Sequence, residues 1–323
     1  MSRRGLLVLT AVAAALLLML VTLRLADDAP PGVGDPLVAG LRAELGELST
    51  VRITTGGDQV VATLELRDER WVVAERDDWP ADTDRLRELL LALVEARRLE
   101  ERSANPALYA RLGVEPLGDP AARGIGIEIE TPAGRLALII GDSGGGDYWH
   151  VRREDESAAW LVSGRFEVAR ATGAWLARPL LDIPADQVQR MTILHPDGER
   201  VRLVRQEADT GSGFTVLELP AGRTLLHATV ADVTAAALAG LRLEDVAPRD
   251  DIFGDEQTAV RIVVETGDEQ GITLLATNRD DGGWLAVESG LEDDERLAGR
   301  AFRIPRPRYQ QLTRRMDELL VPE

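Results

Sequence analysis

The chain has 323 residues, no cysteine and a formal net charge of −18, which excludes a disulfide framework, thiolate chemistry and the basic footprint of a nucleic-acid binder. Every basic side chain other than histidine is an arginine, so phosphate-binding loops of the GKS/GKT type and Schiff-base catalysis are excluded as well. Hydrophobic residues make up 45% of the chain, enough to bury a core, and the length suits two ordinary domains behind an N-terminal leader.

Arg3 and Arg4 precede an uncharged apolar run from Gly5 to Leu23. As a helix rising ~1.5 Å per residue it spans ~28 Å, close to the ~30 Å hydrocarbon layer of a bilayer. Residues 1–25 are therefore expected to form a cytoplasmic tip and a transmembrane anchor. A cut after Ala26 would place Arg24 in the small-residue cleavage signature, which argues against removal as a signal peptide. Arginines stay on the cytoplasmic side, so the expected arrangement is single-pass in the cytoplasmic (inner) membrane, N-terminus inside, with the bulk of the chain extracytoplasmic.

Residues 26–48 follow as a linker and lead-in helix. Ala26 to Asp35 is rich in proline, glycine and aspartate, and Leu37, Leu41, Leu45 and Leu48 recur at helical spacing. From Ser49 the pattern alternates: Val51 and Ile53, a Gly56, Gly57 turn, then Val60, Ala62, Leu64 and Leu66, and Trp71 to Ala74 predict three antiparallel strands. Pro80 stops the last of them, Asp82 or Thr83 caps a helix, and Leu86, Leu89, Leu90, Leu93 and Val94 give that helix one apolar stripe. A helical turn around Pro106 to Leu112 ends at Gly113. Ile125, Ile127 and Ile129 alternate as a strand that pairs with Leu136 to Ile140, and further strands are expected at Trp149 to Arg152 and Ala159 to Val162.

The second half repeats this order. Met191 and Ile193 answer Val51 and Ile53; Phe214 to Leu219 answers Trp71 to Ala74; Val230, Val233, Ala237, Leu238 and Leu241 answer the Leu86 helix; Val260, Ile262 and Val264 answer the three isoleucines. The expected class is α+β, a transmembrane helix followed by two tandem similar units of antiparallel sheet packed with one or two helices each, at residues 49–182 and 183–323. A helix over Pro307 to Leu320 would close the second unit.

Several local patterns suggest chemistry. Gly141 to Gly145 spells GDSGG, the nucleophile signature of chymotrypsin-like proteases, but His150, His195 and His227 all follow Ser143, whereas in that fold the histidine comes first. A flexible hairpin loop over Asp142 to Asp147 is the favoured reading. No two histidines have the i, i+4 spacing of a zinc helix. Asp250, Asp251, Asp255 and Glu256, and the run Glu292, Asp293, Asp294, Glu295, lack the alternation and central glycine of a calcium loop. Gly124 and Gly126 lead into a strand, not a helix. Glu128 and Glu130 share a strand face at i, i+2, as glycosidase carboxylates do and as wet sheet faces ordinarily do. Trp149, Trp160 and Trp284 read as core or edge packing. No catalytic residue, cofactor or metal site is assigned.

Leu64 to Trp71 with Trp79 to Asp82, the segment Tyr109 to Pro116 (YARLGVEP), the hairpin from Ile140, Gly141 to Tyr148, Trp149, and Trp175 to Ile193 (WLARPLLDIPADQVQRMTI) resemble the bacterial family known as domain of unknown function 4340, over about residues 49–260. The resemblance implies a membrane-tethered, extracytoplasmic protein, often encoded beside ABC-type transport components of the gliding-motility kind. It implies no catalytic residues. Three functions are compatible with the chain: a non-enzymatic module binding a membrane-protein partner, with ABC transporter subunits as the implied candidate; a binder of envelope polymer or small ligand in a groove between the units; and a hydrolase.

Overall fold

The computed structural model describes residues 32–322 apart from 207–212, 255, 268–270 and 292–294. The first unit contains β1 (Thr50–Thr55), β2 (Gln59–Arg67), β3 (Arg70–Val73), β4 (Trp79–Pro80), the helix Thr83–Glu95, β5 (Arg97–Ser103), β6 (Ile125–Thr131), β7 (Gly134–Gly145), β8 (Tyr148–Arg153) and β9 (Ala159–Ser163). The second contains β10 (Pro179–Leu181), β11 (Val188–Leu194), β12 (Arg200–Arg205), β13 (Phe214–Leu217), the helix Val230–Ala235, β14 (Leu241–Arg242), β15 (Asp245–Pro248), β16 (Val260–Thr266), β17 (Gly271–Arg279), β18 (Gly282–Ser289), β19 (Arg300–Ile304) and the helix Arg306–Leu312.

These elements correct the expected class. The described residues are predominantly antiparallel β-sheet, and Thr83–Glu95 is the only helix among them longer than seven residues, so the α+β description overstates the helical part. The lead-in helix shrinks to Leu41–Glu44 with a 3₁₀ turn, and the closing helix breaks at Thr313–Arg315. The run from Gly5 to Leu23, expected as a transmembrane helix, lies outside the described residues; among those, no helix is long and apolar enough to cross a membrane.

The long helix forms where the apolar stripe predicts it. Asp82 caps it, its carboxylate accepting from the Arg85 N–H at 3.1 Å, and Leu86, Leu89, Leu93 and Val94 are buried. β5 carries no such signal. Its sequence, RRLEERS, is largely exposed because it lies at a sheet edge, pairing with β9 on one side and, on the other, meeting the lead-in at Arg97 and Arg98. Charged side chains there guard an edge against unwanted pairing.

The first sheet runs β4-β3-β2-β1-β6-β7-β8-β9-β5 and the second β13-β12-β11-β16-β17-β18-β19-β15. Apart from β4 the orders match position for position, and the registers match with them. Val51 faces Ile129 and Ile53 faces Ile127 across β1 and β6; Met191 faces Val264 and Ile193 faces Ile262 across β11 and β16. All eight side chains are buried. One large apolar cluster runs through both units. Each sheet also carries a small satellite cluster: Tyr109, Val114, Leu117 and Ile139 in the first unit, Phe253, Leu275, Trp284 and Ala301 in the second.

The correspondence extends to the ends of the units. Ala81 bridges Leu176, and Leu225 bridges Leu320. Beside the first bridge the Asp82 N–H donates to the Trp175 carbonyl at 2.7 Å and the Ala177 N–H to the Pro80 carbonyl at 2.8 Å. Beside the second, Leu226 donates to Leu319 at 2.8 Å and Val321 to Thr224 at 3.0 Å. The Trp79 indole donates to the Ala177 carbonyl at 2.8 Å, and the Arg223 guanidinium donates to the Val321 carbonyl at 2.7 Å. Arg223 thus stands in the second unit where Trp79 stands in the first.

Candidate functional site

The GDSGG stretch is a piece of sheet and not a catalytic elbow. β7 continues through it to Gly145, with irregularities between Ile140 and Ser143 and between Ser143 and Gly145, which replaces the expected flexible loop over Asp142 to Asp147. The Ser143 hydroxyl lies 3.4 Å from the Tyr148 carbonyl and accepts from the Gly145 N–H at 3.1 Å. His150 Nδ1 is 3.0 Å from the Asp142 carbonyl oxygen, and the Asp142 carboxylate accepts from Arg123 at 2.7 Å. The three residue types of a triad are close in sequence, yet each is held by a different partner.

What covers this part of the sheet is the strap after β5, which holds Tyr109–Leu112, Val114 and Leu117. Its backbone approaches too closely for side chains beneath it. A Cβ on Gly141 would lie 2.7 Å from a Val114 methyl and run into the Leu112 carbonyl, and a Cβ on Gly124 would lie 2.5 Å from the Gly113 carbonyl oxygen. The half-fingerprint Gly124, Gly126 therefore serves strap packing. Arg152 pins the strap from β8: it is 7% exposed, donates from Nε to the Val114 carbonyl at 3.0 Å and places its guanidinium 4.7 Å from the Tyr109 ring centre. Charge-assisted hydrogen bonds contribute ~1.5–3 kcal/mol and a desolvated cation–π contact ~2 kcal/mol. Arg152→Met is expected to destabilise the protein by about 3 kcal/mol in urea unfolding; a change below about 1 kcal/mol would show that the buried cation does not hold the strap.

The remaining flagged residues are scattered. His195 is buried in the β11–β12 turn, its Nε2 3.2 Å from the Arg314 carbonyl oxygen, and His227 is exposed ahead of the helix Val230–Ala235. Beside His195, Asp197 is held below the usual carboxylate range, first by the Glu199 N–H and then by Arg315. Glu128 is likewise held low, chiefly by its hydrogen bond to Arg135, and so is committed to an ion pair; Glu130 is exposed. Trp160 and Trp284 are buried and Trp149 is half-buried. Asp250 and Asp251 lie in the short helix Arg249–Ile252; Asp255 and Glu292 to Asp294 lie outside the described residues. Among the described residues no group of three or more acidic or histidine side chains is arranged to hold a metal ion.

Sequence reading missed the seam between the units. Trp79, 1% exposed, meets Phe302 with ring centres 5.1 Å apart at 62°, and the Arg296 guanidinium lies 5.7 Å from the Trp79 ring centre. Arg76 pairs with Asp245 at 2.5 Å and Arg300 with Asp77 at 2.8 Å, so adjacent residues of opposite sign reach across to opposite partners. Above them opens a cleft of about 490 Å³ lined by Arg67, Arg70, Val72, Trp79 and Pro80 from one unit and by Glu295, Arg296 and Arg300 from the other. Arg67 in it is paired with Glu65 and Asp78. The only local signal for this site was the Trp79, Pro80, Ala81, Asp82 motif; its partners lie in the other half of the chain.

Comparison with curated proteins and with solved structures returns no match to either. The family model described as "Domain of unknown function (DUF4340)" matches residues 71–259, from β3 through the strap, the seam and the helix Val230–Ala235 to the start of β16. More than half of the chain is covered, and the protein belongs to the DUF4340 family.

Proposed function

We propose that the protein is a non-enzymatic binding module, held at the outer face of the cytoplasmic membrane by the apolar run from Gly5 to Leu23, that docks on a membrane-protein partner, with subunits of an ABC-type transport complex as the candidate. The supporting observation is that four of the side chains hydrolysis would draw on are committed to the fold: Ser143 to its hairpin, His150 and His195 to backbone carbonyls, Glu128 to Arg135. The seam adds to it, because ion pairs and a buried aromatic pair join the units into one body able to present a fixed surface. Photo-crosslinking in intact cells followed by mass spectrometry is expected to recover integral membrane subunits. Recovery of no protein neighbour from sites spread over both units would sink this reading.

A second reading, a small-ligand binder, is favoured by one observation, the seam cleft. Its cavity is of ligand size and lies at the junction of two units, where binding sites often form. Of its lining arginines, the Arg70 side chain makes no hydrogen bond or ion pair among the described residues, whereas Arg67 and Arg300 are neutralised by Asp78 and Asp77. Ligand protection of the seam against proteolysis, measured with candidate anions, separates this reading from the first.

A further inference from the structure

The duplication leaves a cleft at the same place in each unit, between the segment that leads into the unit and the β6–β7 or β16–β17 hairpin. In the first unit it is about 180 Å³ and is lined by Val38, Thr131, Leu136, Arg135 and Arg153 among others. In the second it is about 480 Å³ and is lined by Asp182, Ile183, Asp186, Gln187, Gln189 and Ile272 among others. The two are equivalent by register: Leu136 faces Ile129 and Ile272 faces Val264, and Pro36 meets Arg97 as Pro179 meets Arg242.

Their chemistry has diverged. The arginines of the first cleft are tied up, Arg135 with Glu128 and Glu154, Arg153 with Asp155 and Glu156. The second cleft has no cation in its described lining. Asp182 accepts from the Gly240 N–H at 2.8 Å, while Asp186 has no hydrogen-bond or ion-pair partner among the described residues, and both are exposed beside the amides of Gln187 and Gln189. Ile183 and Ile272 supply an apolar floor.

We infer that the second-unit cleft takes an arginine-bearing extended segment of the partner protein; this rests on the binding-module reading above. A guanidinium fits the unpartnered carboxylate of Asp186 flanked by amide acceptors, its methylene stem lies along aliphatic floor residues, and the net charge of −18 draws such a segment in. The enlarged cavity accommodates more than one side chain, whereas the first cleft is small and its walls carry the protein's own cations.

The test uses the full chain and a fluorescently labelled tetra-arginine peptide. Asp186→Arg is expected to weaken binding at least tenfold, while Asp250→Arg, which makes the same charge change at another exposed site, changes it less than twofold. Equal loss in both variants would mean diffuse attraction to an acidic surface and would overturn the assignment, as would unchanged binding by Asp186→Arg or no binding by the parent chain. Co-purification separates this from the function proposed above. Membrane subunits retained equally by parent and Asp186→Arg overturn the cleft and leave the module reading standing, and subunits lost with Asp186→Arg alone support both.

Discussion

Gly141→Val is expected to destabilise the protein by about 3 kcal/mol or more, the upper part of the range for forcing extra atoms into a packed region, while Ser143→Ala two residues away changes stability by less than about 1 kcal/mol. The asymmetry follows from what each residue touches. At Gly141 a side chain meets the Leu112 carbonyl and a Val114 methyl, and neither is the yielding end of a long side chain. Ser143 loses one contact to the Gly145 N–H and one long contact to the Tyr148 carbonyl, both at an exposed hairpin where water replaces them. Urea unfolding followed by tryptophan fluorescence reads both. Wild-type stability for Gly141→Val would mean that the strap does not rest on β7 as described. A Ser143→Ala variant that folds normally yet loses function in cells would return the GDSGG stretch to the list of reactive sites.

The sequence was legible where one face is buried and the other wet. Ile125, Ile127 and Ile129 alternate because β6 lies in the middle of a sheet over the main core, and Leu86 to Val94 show a helical stripe because one face of that helix packs on the same core. It was illegible where that rule lapses. β5 is mostly charged because an edge strand buries neither face, and the glycine-rich end of β7 has a loop's composition because the strap crowds Gly141, Leu161 crowds Gly144 and Gly145 has a φ of +100°. The seam was hidden for a different reason. Trp79 and Phe302, or Arg76 and Asp245, are brought together only by tertiary packing, and no local pattern encodes that. The excess of helix in the α+β expectation has the same root: Leu37, Leu41 and Leu48, and Leu312 and Leu319, are buried, but short turns and a break at Thr313–Arg315 bury them without continuous helix.

The matched bridges are built with different side chains in the two units. In the first unit the segment Trp175 to Ala177, which follows the 3₁₀ turn Thr172–Trp175, leaves the Ala81 bridge and continues into β10 of the next unit. In the second, the equivalent segment is Leu319 to Val321, at the end of the short helix Met316–Leu319. The residue offered to a neighbour changes with it, from an indole to the guanidinium of Arg223, which keeps the hydrogen bond to the strand and gives up the apolar surface.

Trp79 is accordingly the residue on which the joining of the units most depends, and Trp79→Ala is expected to cost about 3–5 kcal/mol, the range for deleting a buried aromatic side chain. Three contributions are lost together: the burial of the ring against Phe302, the indole hydrogen bond to Ala177, and the face over which Arg296 lies. The ion pairs Arg76–Asp245 and Arg300–Asp77 remain, but both are partly exposed and screened by salt, so they cannot replace what the ring supplied. The variant should therefore unfold at lower urea and become cleavable by protease between β9 and β10 at low denaturant, with cleavage rising as salt is raised. Trp79→Phe, which keeps an aromatic ring and gives up the N–H, should recover more than half of the loss. A Trp79→Ala protein that unfolds at the parent's midpoint and resists protease at the linker would show that the two units are joined by something other than this seam.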